Sequence, residues 1–197
     1  MKVFVVYAHP SSNSFTYLAK EKFLEGLTDA GHTYEVSDLY GMDFNETFTE
    51  EEYLREAFYD EDKPIPTDVI EEQRKCMEAD AIAFIYPVFW TEAPAKLVGW
   101  FQRVWTYGFA YGDTPTLSTF KKAVFLVTMG GSLRDPIRRK QVEAMETVMI
   151  GDRINARAEE SKMYVFDEMT RGYDNEGSRQ DGQVRFLRQS YEIGKNL

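Results

Sequence analysis

The chain has 197 residues, 43% hydrophobic and 28% charged, so it carries the apolar material of a packed core and lacks the polar, aromatic-poor character of disordered chains. A formal charge of −10 argues against general affinity for nucleic acid or anionic membrane surfaces, which both need clustered Lys and Arg. With one cysteine (Cys76), two histidines (His9, His32) and no apolar run of the ~18 residues a membrane span needs, neither a disulfide framework nor a Cys/His zinc site is available, and a cytoplasmic protein without metal or membrane insertion is expected.

Lys2 to Ala8 reads as a buried first strand, closed by His9-Pro10 and the loop Ser11-Ser12-Asn13-Ser14. Phe15, Leu18, Ala19, Phe23 and Leu27 recur at helical spacing from Ser14 to Ala30, with Gly31 placed to end that helix. Thr33 to Leu39 predicts a second strand, and the connection to about Thr67 is long enough to hold some helix. Asp68 to Ala79 predicts a helix with Val69, Ile70, Cys76 and Met77 on one side, followed by a strand through Ala81–Tyr86 that ends at Pro87. After Pro94, the positions Leu97, Trp100, Phe101, Val104 and Trp105 form a strongly apolar helical stripe. Ala123 to Thr128 reads as a fourth strand closed by Gly130-Gly131, Met163 to Phe166 as a fifth, and Gln183 to Ile193 as a last helix.

Strands alternating with helices imply one domain over residues 1–197, an α/β fold with a five-stranded parallel sheet in the order 2-1-3-4-5 and helices on both faces. In such sheets a ligand sits beyond the carboxyl ends of the strands, between the first and third. Three loops share that edge. The His9–Thr16 loop leads from strand to helix with hydroxyls and free backbone N–H groups, which suits a phosphate, although Ser12, Asn13 or Ser14 can equally be a simple helix cap. The Pro87–Pro94 loop exposes Phe89 and Trp90 where a polar loop is the norm; such a floor suits a planar isoalloxazine ring, or else covers the core or a subunit interface. Thr128-Met129-Gly130-Gly131 allows close backbone approach, or is only a turn.

Val6-Tyr7-Ala8-His9-Pro10 with Asn13-Ser14-Phe15, Ser37-Asp38-Leu39-Tyr40 with Met42-Asp43-Phe44, and Tyr86-Pro87 with Trp90 resemble the NAD(P)H:quinone oxidoreductase (DT-diaphorase) family, of flavodoxin-like fold. So does the stretch Gly99-Trp100-Phe101, Arg103-Val104 and Gly108-Phe109-Ala110-Tyr111, followed by Lys121-Lys122-Ala123. The resemblance covers roughly residues 1 to 131. It implies a homodimeric flavoprotein, holding FAD or FMN, that takes electrons from NADPH or NADH and passes them by a ping-pong route to a small-molecule acceptor, a quinone or an azo or nitro compound. Carried over to this chain, it assigns His9, Ser14, Phe15 and Thr16 to the flavin's phosphate portion and Pro87, Val88, Phe89, Trp90 and Thr91 to its ring. Thr128, Met129, Gly130 and Gly131 would close the other side, Tyr111 would stand at the mouth of a pocket shared between subunits, and the Leu97–Trp105 stripe would be interface.

The chain departs from that family in the loop after the double glycine, where longer members carry a tyrosine and a histidine: residues 132–162 hold no aromatic and no histidine. Their basic residues Arg134, Arg138, Arg139, Lys140, Arg153 and Arg157 read as a solvated face, and no side chain is assigned a catalytic role. Asp113 stands near where the family often has a second pocket aromatic, and Met129 replaces a common threonine. The acidic run from Asp43 to Asp62 reads as solvated surface. The rival reading is a non-enzymatic or regulatory subunit of the same fold, such as an ancillary subunit of a potassium-efflux system; a plain electron carrier stands third.

Overall fold

The computed structural model describes residues 1–171 and 176–197, with Glu176 described by its backbone alone. Strands β1 (Lys2–Tyr7), β2 (Thr33–Asp38), β3 (Ala81–Pro87), β4 (Phe120–Thr128) and β5 (Ala158–Phe166) form a parallel sheet in the order β2-β1-β3-β4-β5. This is the expected topology. Its three central strands are apolar on both faces: Val3, Val5, Ile85 and Leu126 turn to one core, Phe4, Val6, Phe84 and Phe125 to the other.

Helices α1 (Phe15–Asp29) and α6 (Glu176–Lys195) cover the first face with Phe23, Leu27, Phe186 and Ile193. Their backbones touch, since a Cβ at Gly26 would lie 2.1 Å from the Tyr191 carbonyl oxygen and one at Gly194 2.2 Å from that of Phe23. The long connection after β2 holds the short helix α2 (Glu50–Ala57), started by a reciprocal Thr49–Glu52 capping box. Helices α3 (Thr67–Glu78) and α4 (Ala95–Val104) cover the second face, and α5 (Pro136–Glu146) runs into a π-helical segment, Thr147–Ile154, and a 3-10 turn before β5.

Several expectations are corrected. The Leu97–Trp105 stripe is not a free interface: all five side chains are buried within this chain, where Trp100 and Phe101 pack around Phe84. Of the four apolar α3 residues only Val69 and Cys76 are buried, while Ile70 and Met77 are exposed, because the buried face also carries the polar residues Glu72, Gln73 and Lys75. Nor is the acidic run only a solvated surface: Glu52 is buried against Arg103, with a 2.7 Å Nε–Oε1 contact, and Glu56 accepts from the Tyr107 N–H at 2.8 Å. Strand β5 and helix α6 are longer than periodicity suggests, and α5 is additional to the expected elements.

A polar cluster sits inside the second face. The fully buried Glu72 accepts from Ser37 Oγ (2.9 Å) and Lys75 Nζ (2.7 Å) on one oxygen and from Trp100 Nε1 (2.8 Å) on the other. Arg103 binds Glu52, the Asn45 carbonyl and Asp68. A Cβ at Gly99 would lie 2.3 Å from the Glu46 carbonyl oxygen, so glycine is what lets the 44–46 segment lie on α4. These contacts fix α4, which follows the loop that leaves β3, against α3 and the 44–46 segment.

Candidate functional site

The loop after β1 is shaped by its own side chains. Ser14 caps α1 by accepting from the Tyr17 N–H at 3.0 Å, and the Thr16 and Thr128 hydroxyls meet at 2.7 Å in a buried bond that ties the start of α1 to the end of β4. The first-turn N–H groups of Ser14, Phe15 and Thr16 have no acceptor among the described residues, leaving three donors at the positive end of the helix. His9 Nδ1 accepts from the Ser11 N–H at 2.9 Å, which places the proton of the neutral ring on Nε2. Burial lowers the His9 pKa from the ordinary histidine value.

After β3, the Phe89 and Glu92 backbones exchange hydrogen bonds (2.8 and 3.0 Å), and the central residues Trp90 and Thr91 have φ of 54° and 66°. This is the geometry of a type I′ turn, usually built from Asn and Gly; a tryptophan there costs about 1 kcal/mol or more of backbone strain. The Trp90 side chain is 100% exposed, so no burial offsets that strain. The N–H groups of Trp90 and Thr91 again lack acceptors among the described residues.

The loop after β4 is held by Met129 N–H to the Phe166 carbonyl (2.9 Å) and by Met169 N–H to the Met129 carbonyl (3.0 Å). A Cβ on Gly130 would fall 1.9 Å from Thr170 Oγ1 and one on Gly131 2.6 Å from Arg138 Nε, so the glycines make room for the protein's own side chains as well as for any ligand. The N–H groups of Gly130 and Gly131 have no acceptor among the described residues.

Two clefts open on this edge and share Val88, Met129, Gly130 and Thr170. The smaller, about 330 Å³, gathers His9, Ser14, Phe15, Thr16, Pro87, Val88, Phe89, Thr128, Met129 and Gly130. The larger, about 670 Å³, adds Trp90, Thr91 and Gly131. All thirteen expected flavin residues therefore line one continuous trough. Tyr111 lies on neither cleft: its hydroxyl donates to Glu56 Oε2 at 2.6 Å, its ring meets Tyr107 edge-on, and burial together with that carboxylate raises its pKa.

Sequence reasoning did not assign Met169, Thr170, Arg171, Arg179 and Gln183, which enter the smaller cleft from the segment after β5 and from α6, or Asp135, Arg138, Gln141 and Met145, which enter the larger one from α5 and its N-cap. Only the cluster of basic residues in 132–162 hinted at them, and it divides. Arg138 reaches the cleft, whereas Arg157 donates to the Ala110 carbonyl (2.7 Å) and Arg153 bridges Glu92 (3.2 Å), both as structural ties.

A polyanionic cofactor with a flat ring fits this set: N–H donors without acceptors among the described residues at a helix start, cationic Arg171 and Arg179 in the same cleft, and further N–H donors beside apolar Val88, Phe89 and Met129.

Residues 1–151 match the family described as having the flavodoxin-like fold. The chain is 36% identical over 149 residues to NAD(P)H dehydrogenase (quinone) 1 of Cavia porcellus and 38% identical over 149 residues to ribosyldihydronicotinamide dehydrogenase (quinone) of Rattus norvegicus. Each match covers 66% of this chain, which spans only 54% and 64% of those proteins' lengths. Among solved structures it is similar to an NAD(P)H:quinone oxidoreductase from Methanothermobacter marburgensis, with a TM-score of 0.90, 42% identity, and coverage of 100% of this chain and 95% of that one. An azoreductase from Bacillus anthracis, 16% identical with a TM-score of 0.73 over the full length of both chains, shares the fold.

Proposed function

Since the chain belongs to the NAD(P)H:quinone oxidoreductase family of the flavodoxin-like fold, we propose that it is a flavin-dependent oxidoreductase that takes two electrons from NADPH or NADH and delivers them, by a ping-pong route, to a quinone or an azo or nitro acceptor. The observation that carries this reading is the row of backbone donors with no acceptor among the described residues along one trough, at the strand ends where the parallel sheet reverses order. Flavin (FMN or FAD), held there, would supply two-electron chemistry between the dihydronicotinamide and the acceptor, a quinone taking two electrons and two protons to become a hydroquinone.

The chain's own residues bind and orient. The N–H groups of Ser14, Phe15 and Thr16, with neutral His9 and the arginines Arg171 and Arg179, take the phosphate portion. Those of Trp90, Thr91, Gly130 and Gly131 hold the polar edge of the ring, while Val88, Phe89 and Met129 exclude water from it. The Thr16–Thr128 bond keeps the two halves of the trough at fixed separation. Donor and acceptor occupy in turn the part of the larger cleft that the ring leaves open, beside Arg138, Gln141 and Met145, which is the physical meaning of a ping-pong order. Residues 1–197 act as one flavin-binding domain. A homodimer in the cytoplasm completes the proposal: Tyr53, Phe58 and Tyr59 form an exposed aromatic patch around α2 beside Tyr107, and a second copy of the chain is its natural cover. No helix among the described residues is long and apolar enough to cross a membrane.

The test is to add FMN or FAD to the purified protein, record the visible flavin band, and mix the complex anaerobically with NADPH or NADH. Bleaching that a quinone reverses is the expected result. A protein that binds neither flavin overturns the reading; one that binds flavin but is never reduced by NAD(P)H is a carrier or a regulatory subunit.

A further inference from the structure

The larger cleft has a charge arrangement that the proposed function does not use. Three ionisable side chains reach it: the Glu168 carboxylate is ion-paired with Arg134, and Asp135 keeps its negative charge while accepting from the Ile137 N–H at 2.8 Å as the cap of α5. Arg138 is different. Its Nη1 donates to the neutral Gln141 Oε1 at 2.8 Å, and it has no ion pair among the described residues. Because residue 131 is glycine, the Arg138 side chain lies against the backbone of the β4 loop, its Nε 2.6 Å from where a Cβ would stand. The exposed guanidinium is thereby held at one end of a cleft whose apolar walls are Val88, Trp90, Met129 and Met145 and which also carries the Asp135 and Glu168 carboxylates.

We propose that Arg138 is a specificity-determining residue that makes the larger cleft prefer aromatic acceptors bearing a sulfonate or carboxylate over their neutral counterparts. This rests on the reading of the trough as the flavin site. The fork of N–H donors matches a planar or tetrahedral oxyanion, and with the flavin ring on Val88, Trp90, Thr91, Gly130 and Gly131 the acceptor's ring takes the remainder of the cleft, beside Gln141 and Met145, where Arg138 reaches it. With a net charge of −10 the protein as a whole repels such molecules, so the preference arises by contact in the bound state, in KM and not in kcat.

The experiment uses the flavin-loaded protein and a ring-matched pair, 1,4-naphthoquinone and 1,4-naphthoquinone-2-sulfonate. kcat and KM for each are measured in the natural chain and in Arg138→Gln, Arg138→Lys and Lys140→Gln; Lys140 is exposed on the same helix and outside the cleft. The kcat/KM ratio of sulfonate to neutral quinone should fall about tenfold in Arg138→Gln through the sulfonate's KM, recover in part in Arg138→Lys, and hold in Lys140→Gln. Quenching of the exposed Trp90 by redox-inert naphthalene-2-sulfonate should weaken in parallel, with Trp100 and Trp105 buried and out of reach. An unchanged ratio, an equal fall in Lys140→Gln, or a rise in KM confined to NADPH overturns the inference, the last by assigning Arg138 to a phosphate of the donor. If no variant reduces either quinone, the proposed function fails, and the quenching titration still decides whether Arg138 binds the anion.

Discussion

Under α3 and α4, Glu72 answers Ser37, Lys75 and Trp100, and Arg103 is met by Glu52, Asp68 and the Asn45 carbonyl. At the carboxyl ends of β1, β3 and β4, by contrast, the N–H groups of Ser14, Phe15, Thr16, Trp90, Thr91, Gly130 and Gly131 find no acceptor among the described residues. Both regions are polar, and both hold residues that carry the resemblance to the oxidoreductase family. The difference is in who supplies the partner. A polar group satisfied within the chain specifies the fold; one left open at an accessible edge beside an apolar wall is available to water or to a ligand.

The largest effect that sharpens this contrast is expected at Glu72. Glu72→Gln keeps the shape but leaves the Lys75 ammonium buried without its counter-charge, which should cost roughly 3 kcal/mol of unfolding free energy. Flavin affinity of the molecules that remain folded should be unchanged. Chemical denaturation with and without flavin measures both quantities; a cost below about 1 kcal/mol, or a loss of affinity at full folding, would erase the distinction between the two regions.

A smaller effect, of opposite sign in the two readouts, is expected at the strained turn. Asn tolerates the left-handed conformation better than Trp, and the fully exposed Trp90 ring leaves no cavity behind, so Trp90→Asn should stabilise the free protein by about 0.5–1 kcal/mol. The same change removes an aromatic wall of the trough and should weaken flavin binding about tenfold, read by fluorescence titration. A variant that loses stability and keeps its affinity would make Trp90 an ordinary surface residue.

How much of this was legible in the sequence follows from the same contrast. Strands β1, β3 and β4 stand out because they are buried on both faces, and the first, third and fourth strand ends are enough to locate the trough. Helix α5 was invisible because only Met145 of its eleven residues is buried, and a π-helical segment such as Thr147–Ile154 does not keep the 3.6-residue period by which helices are read. The Leu97–Trp105 stripe was legible as apolar but not as core, since periodicity shows that a face is covered and not by what. Trp100 and Arg103 carry the resemblance through the buried cluster and touch neither cleft, so a family motif can mark fold support as well as chemistry. Met169, Thr170 and Arg138 reach the clefts from segments with no motif, brought there by the sheet order alone.

The smallest expected effect tests His9, which belongs to both categories at once: its Nδ1 is satisfied by the Ser11 N–H, while the rest of the ring lines the smaller cleft. Burial lowers its folded pKa below the ordinary value of about 6.5, so the unfolded chain takes up the proton first as pH falls. The stability due to neutral His9 is therefore fully present above about 6.5 and lost as pH falls through the folded value. His32 is lowered in the same direction, by burial and by the N-terminal ammonium and Lys122, and contributes a second component of the same sign. His9→Asn offers a side-chain oxygen to the Ser11 N–H without titrating, so stability near neutral pH should hold and its decline toward about pH 5 should become shallower, with the His32 component remaining. Flavin binding should respond in the reverse sense, because a protonated His9 attracts the phosphate: affinity in the natural chain should tighten on acidification, and in His9→Asn that tightening should shrink. Parallel pH profiles for the two proteins in both measurements would move His9 wholly into the group satisfied by the fold.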